Sequence, residues 1–159
     1  MKITIGSDHA GFELKKVLID HLQKNGHELL DVGTDSTAPV DYPDYAEAVA
    51  RGVLQGVSER GILICGSGVG ASVAANKIPG IRAGLCHDGY SAHQGVEHDN
   101  INVLVLGSRV VGPELAKDLC ITFINARFTN EERHCRRLEK IHSIEQRYSA
   151  ESVAKEKIS

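Results

Sequence analysis

The 159-residue sequence lacks any apolar run approaching the roughly 20 residues that a membrane-spanning helix requires. It also lacks an excess of one charge. Eighteen Lys and Arg stand against 21 Asp and Glu, mixed along the chain, for a net charge of −3. No positive field is available for nucleic acid. The four cysteines, Cys65, Cys86, Cys120 and Cys135, are widely spaced, with no CxxC pair and no zinc-ligand spacing. They read as reduced thiols in a cytoplasm. The start, Met1-Lys2-Ile3-Thr4-Ile5-Gly6, lacks a basic segment followed by a long apolar region, so it reads as a strand and not as a signal peptide. No internal repeat and no GxxxxGK[ST] phosphate loop occurs.

What is present is an alternation of short apolar runs and amphipathic stretches. At 42% hydrophobic content, one core of ordinary size can form. The expected organisation is a single domain over 1–149 and a charged, frayed tail over 150–159. Strands are expected at Lys2–Gly6, Glu28–Asp31, Gly61–Cys65, Ala83–Cys86 and Val103–Leu106. Helices are expected at Phe12–Asn25, Asp44–Gln55, Gly70–Asn76, Gly89–Glu97, Pro113–Asn125 and about Glu131–Tyr148. In the first helix, Phe12, Leu14, Val17, Leu18 and Leu22 form an apolar face at helical spacing, and Asn25-Gly26 stops it. Pro113 sits where a helix favours starting. Strands alternating with helices predict right-handed crossovers, hence an α/β fold with a five-stranded parallel sheet covered on both faces. The polar segment Thr34–Asp44 reads as an active-site loop.

One segment carries chemistry. The apolar run Gly61-Ile62-Leu63-Ile64 ends on Cys65, and Gly66-Ser67-Gly68-Val69-Gly70 follows before a short helix. Ligands of open α/β sheets bind at the carboxyl ends of strands. A glycine turn entering a helix aims unpaired backbone N–H groups and the positive end of the helix dipole at that place. A thiol there sits in a field that favours thiolate, and so suits a base or nucleophile. The turn is a poor dinucleotide fingerprint: its third glycine comes one residue early, and it follows the third strand. An oxyanion hole built from consecutive N–H groups is the better reading. Cys65 alone would more often be a small buried hydrophobe; three glycines in five residues shift the odds toward a ligand.

The residues following the strands are expected to share one rim with Cys65: Asp8 and His9 after the first, His87-Asp88 after the fourth, Glu97-His98-Asp99-Asn100 near the fifth. For His87 and His93 the bland reading, a cap or a solvated loop residue, is preferred. Asp8 could simply cap the first helix. Arg133 and Arg137, four apart, share a helix face and offer two guanidinium forks to a phosphate dianion. A solvated Glu–Arg face is the commoner meaning of that segment. Arg109, after the fifth strand, is a further phosphate ligand candidate on the rim of Cys65.

Taken together, Gly6-Ser7-Asp8-His9-Ala10-Gly11-Phe12, Val40-Asp41-Tyr42-Pro43, Ile64–Gly70, Ala74–Ala83, Gly107–Gly112 and Glu132-Arg133-His134 with Arg137 are a recognisable set. In order, and over nearly the whole chain to about Tyr148, it resembles the ribose-5-phosphate isomerase B group of the RpiB/LacA/LacB sugar-phosphate isomerases. The resemblance implies a Rossmann-like three-layer α/β/α sandwich and a dimer or dimer of dimers. It also implies interconversion of ribose 5-phosphate and ribulose 5-phosphate, within the pentose phosphate pathway, without metal or cofactor. It assigns the base to Cys65, moving a proton between C2 and C1 through an enediolate. The oxyanion hole falls to Gly66, Ser67, Gly68, Val69 and Gly70, with the Ser67 hydroxyl helping. Ring opening falls to His98, with Asp8 at the sugar oxygens. Tyr42 and Asp99 complete the sugar contacts, while His9, Arg109, Arg133 and Arg137 hold phosphate. In the family the site spans a subunit interface, so some groups come from the partner chain.

Two departures from the family pattern bear on substrate. Where the family commonly reads His-Asn-Asp, this chain has His98-Asp99-Asn100, and an ionised Asp99 cannot donate to a sugar oxygen. The preceding Ala92–Glu97 also lacks the expected arginine. The alternatives are an isomerase of allose or galactose 6-phosphate, or of erythrose 4-phosphate, and a non-catalytic sugar-phosphate-binding module. Cys65 argues against the galactose 6-phosphate subunits, and Cys65 with His98 argues against mere binding. A thiol hydrolase is a weaker fourth reading, since it needs Cys65 paired with a histidine.

Overall fold

The computed structural model describes residues 1–156, with side chains described to Ser149. Five strands, β1 (Lys2–Ser7), β2 (Glu28–Asp31), β3 (Arg60–Cys65), β4 (Ala83–Leu85) and β5 (Val103–Gly107), form one parallel sheet in the order β2-β1-β3-β5-β4. Helices α1 (Phe12–Lys24), α2 (Tyr42–Leu54), α3 (Val69–Ala75), α4 (Gly89–Asp99) and α5 (Pro113–Asn125) cross over between and after them. A long α6 (Glu132–Glu156) follows. No helix among the described residues is long and apolar enough to cross a membrane.

The two-residue period of the central strands builds both layers. Ile3, Ile5, Ile62, Ile64, Leu104 and Leu106 join Leu14, Leu18 and Leu22 of α1, Ala92 and Val96 of α4, and Leu119 and Phe123 of α5 in one core. The alternate residues Leu63, Cys65, Val103 and Val105 join Ala46, Val49 and Ala50 of α2 and Ala71 and Ala75 of α3 in the other. Each fully buried Ile or Leu contributes about 1.5–3 kcal/mol of transfer free energy. Truncating Ile62 or Ile64 to Ala should therefore cost about 2–5 kcal/mol.

Most boundaries expected from the sequence hold to within a residue or two. Helix α2 starts earlier than expected, at Tyr42, because Pro43 is compatible with a first helical turn. Helix α6 continues past Tyr148 to Glu156 and so takes in most of the segment expected to be a frayed tail; residues 157–159 lie outside the described residues. Asp8 is not the cap of α1, since the N-cap position is Gly11. Lys15, on the face of α1 expected to be apolar, is 1% exposed. Its ammonium donates to Asp31 Oδ1 and to the Thr34 carbonyl, both at 2.6 Å, which satisfies the charge and pins the start of the Thr34–Asp41 segment.

Candidate active site

The sheet order reverses direction between β1 and β3, so the crossovers leaving these strands diverge and open a crevice at their carboxyl ends. A cleft of about 330 Å³ lies there, lined by Asp8, His9, Tyr42, Cys65, Ser67 and Arg109 together with small residues of the adjoining turns. The Gly66–Gly70 turn is shaped by close approaches. Gly68, the N-cap of α3, takes φ = +81° and donates its N–H to Cys65 Sγ at 3.0 Å. Cβ atoms at two neighbouring glycines would collide: one at Gly70 would lie 2.7 Å from the Tyr42 ring, and one at Gly107 would lie 2.5 Å from the Ser67 carbonyl oxygen. The Ser108 N–H donates to the Cys65 carbonyl at 2.9 Å and that of Arg109 to the Gly66 carbonyl at 3.0 Å, so the end of β5 fixes the turn. The first N–H groups of α3 have no intrahelical acceptor, and they border the cleft.

The β1 side is equally constrained. Asp8 Oδ1 accepts from the Ala10 and Gly11 N–H groups at 2.9 and 3.1 Å, which orients a buried carboxylate at the cleft. His9 Nδ1 lies 3.2 Å from both the nitrogen and the carbonyl oxygen of Val40, so the Val40 backbone holds that edge of the ring whichever nitrogen carries the proton. The Thr34–Asp41 segment, anchored by Lys15, thus places both His9 and, at the start of α2, Tyr42. Arg109 lies against Gly66, where a Cβ would sit 3.6 Å from its Cζ and Nε. Among the described residues Arg109 has no ion-pair partner, so its charge is available to an anion.

The remaining expected residues do not share this rim. His98 and Asp99 end α4, and a crossover helix runs back toward the strand starts, so they lie at the amino edge of the sheet, just before β5. Contrary to the expectation from sequence, Glu97, His98 and Asp99 therefore do not converge with Cys65 within one chain. A second cluster forms there instead. His98 stacks on His134 of α6 with ring centroids 4.1 Å apart, and the Thr129 N–H donates to the Glu97 carbonyl at 3.1 Å. Arg133 and Arg137 flank His134 on α6. Arg133 Nε bonds Glu131 Oε2 at 2.8 Å and holds that carboxyl below the usual range, an engagement of one edge of the guanidinium only. Arg137 has no such partner among the described residues. His134 is 1% exposed and neither ring nitrogen has a hydrogen-bond partner; burial, then the neighbouring His98, hold its pKa below the ordinary value.

Several contributors carried no expected role. His134 lies inside a recognised motif, yet only the fold stacks it on His98. Gln94, one helical turn before His98, places its side-chain nitrogen 2.8 Å from His98 Nδ1, and the spacing of four was the available signal. His87, half-buried, accepts the Gly107 N–H at Nε2 at 3.0 Å and so braces the end of β5. His93 pairs with Glu97 at 3.2 Å on an exposed face, in keeping with its bland reading. Among the described residues no three His, Cys, Asp or Glu side chains gather as a metal site.

Each chain therefore presents two separate clusters. One offers a thiol, a carboxylate, backbone donors and a cation; the other offers an imidazole pair and an unpaired arginine. A sequence model of the family described as Ribose/Galactose Isomerase matches residues 3–141. The chain is 49% identical over 146 residues to ribose-5-phosphate isomerase B of Escherichia coli, covering 92% of this chain and 97% of that protein. It is 43% identical over 130 residues to the D-erythrulose-4-phosphate isomerase of Pectobacterium atrosepticum, covering 80% of this chain and 85% of that one. The solved structure of Clostridium thermocellum ribose-5-phosphate isomerase B matches with a TM-score of 0.91 at 49% identity, over 93% of this chain and 99% of that one. With motifs, topology and matched length all in agreement, the chain belongs to the ribose/galactose isomerase family of sugar-phosphate isomerases.

Proposed function

We propose that this protein interconverts D-ribose 5-phosphate and D-ribulose 5-phosphate. The observation that carries the reading is the cleft in which Cys65, the Asp8 carboxylate and the α3 N–H groups meet beside Arg109. The relatives named ribose-5-phosphate isomerase B support the choice of sugar. Aldose–ketose isomerisation needs one placed base and stabilisation of a developing oxyanion. The open-chain aldose presents its C2 proton to Cys65, whose thiolate takes it. The negative charge passes to O1, where the Gly66–Gly70 N–H groups receive it. A proton moves from O2 to O1 with help from the Ser67 hydroxyl, and the thiol returns its own proton to C1.

The second cluster completes the site from another copy of the chain. On this reading His98 opens the sugar ring, and Arg133 and Arg137 of one chain join His9 and Arg109 of its partner at the phosphate. The separation of the two partial sites on opposite edges of one sheet supports a homodimer or a larger even assembly. The four free thiols suit a reducing cytoplasm, and residues 1–149 act as one domain.

The test is a coupled assay of purified protein, without added metal, on ribose 5-phosphate, allose 6-phosphate and erythrose 4-phosphate. Preferred turnover of ribose 5-phosphate is expected. Preference for another sugar would keep the mechanism and move the substrate, with Asp99 as the first residue to exchange. Binding of all three without turnover would reject the enzyme reading.

A further inference from the structure

His98 is held on two sides. Its face rests on His134, 4.1 Å between centroids and 24° from parallel. Its Nδ1 edge meets the Gln94 amide at 2.8 Å. Gln94 and His98 are both half-buried and four apart on α4, so the contact needs no distortion of the helix. The other charged or titratable groups here are His134 and Glu131 on α6, the Arg133 and Arg137 charges that reach His134, and Glu97, His93 and Asp99 on α4 itself. None of these is a hydrogen-bond partner of the His98 ring; the partner it has is uncharged.

An amide is a particular kind of partner. Its NH2 donates to a bare Nδ1, and after a half-turn its carbonyl accepts from a protonated Nδ1. It fits imidazole and imidazolium alike. A carboxylate in its place would favour the cation, and an apolar side chain would leave the edge unheld.

We propose that Gln94 is a positioning residue for His98, holding the ring in place through its change of charge so that Nε2 alone exchanges protons with the sugar. The inference rests on His98 being the acid of ring opening. In that step the Nε2 proton passes to the ring oxygen as its bond to C1 breaks. The C1 hydroxyl gives its proton to the Asp8 carboxylate and becomes the aldehyde carbonyl. Nδ1 keeps its proton as the imidazolium becomes neutral, and the Gln94 amide, whose nitrogen faces Nδ1 in this structure, turns over to accept that proton at its carbonyl.

The experiment compares the full-length protein with Gln94→Leu, Gln94→Glu and His98→Ala. Three quantities are read: the NMR titration of the His98 ring, turnover of ribose 5-phosphate, and deuterium uptake at C1 of ribulose 5-phosphate. Ribulose 5-phosphate is acyclic, because its 5-hydroxyl is esterified, so C1 exchange requires Cys65 but no ring opening. Gln94→Leu should lower ribose 5-phosphate turnover roughly tenfold, a fraction of what an acid catalyst supplies, while C1 exchange is retained. Gln94→Glu should raise the His98 titration midpoint by roughly one unit, as an adjacent opposite charge does. Should His98→Ala be impaired while both Gln94 variants titrate and turn over like the parent, the role of Gln94 is overturned and that of His98 stands. Normal ribose 5-phosphate turnover in His98→Ala would overturn both.

Discussion

Gly107 lies outside the glycine turn, yet the structure makes it a control point for that turn. It ends β5 opposite Cys65 in the parallel register, with no positive φ, so alanine there meets no backbone strain. The obstacle is steric. An added Cβ would sit 2.5 Å from the Ser67 carbonyl oxygen and 2.6 Å from its carbon. Moving that oxygen out to an ordinary contact of 3.4 Å requires a retreat of about 0.9 Å. Ser67 lies in the middle of the proposed oxyanion hole, and a misplacement near 1 Å can lower a rate by about 10²-fold, or about 2.7 kcal/mol of barrier. Overpacking should also lower stability by about 1–3 kcal/mol. Gly112→Ala is the matched control, because a Cβ there meets nothing within 4 Å. Steady-state kinetics on ribose 5-phosphate with thermal melts of all three proteins make the test. A folded Gly107→Ala with the parent's kcat/KM would refute the idea that the position of this turn governs the chemistry.

Three further outcomes follow from the same geometry. Arg137→Ala should raise KM with little change in kcat, since a phosphate contact made equally in ground and transition states is lost; an unchanged KM removes Arg137 from the phosphate site. Cys86 and Cys120, whose thiols burial pushes up to about 11 and about 12, should resist alkylation at pH 8 in the native protein and react once it is unfolded. Labelling of either in the native state would contradict their burial. Mixing Cys65→Ala with His98→Ala under conditions of subunit exchange should restore activity that neither variant has, because a mixed dimer carries one intact site. No recovery in demonstrated mixed dimers would mean that the two partial sites do not serve one reaction.

The fold was legible because its strands are short apolar runs with a two-residue period, and each is followed by a helical stretch. The Cys65 turn and its neighbours Asp8, His9 and Arg109 were legible for the related reason that carboxyl strand ends in a parallel sheet share one edge. Proximity in sequence to β5 suggests the wrong edge of the sheet for His98. It precedes that strand, and only residues that follow a strand reach the rim of Cys65. Lys15 defeated the apolar pattern because its partners, Asp31 and the Thr34 carbonyl, arrive from a segment that hydrophobic periodicity does not describe. His134 is illegible for another reason: its role arises where α4 meets α6, and helix–helix contact between distant segments leaves no mark on local spacing. Gln94 is different, because its spacing of four from His98 on one helix is a signal the sequence does carry.

The central claim is that the Cys65 sulfur takes and returns the carbon-bound proton. Deuterium incorporation at C1 of ribulose 5-phosphate in D2O reads that step alone, without ring opening. The parent protein should exchange this position, and Cys65→Ala, folded to the same melting profile, should not. Exchange by Cys65→Ala at the parent's rate would assign the proton to another group and contradict the account.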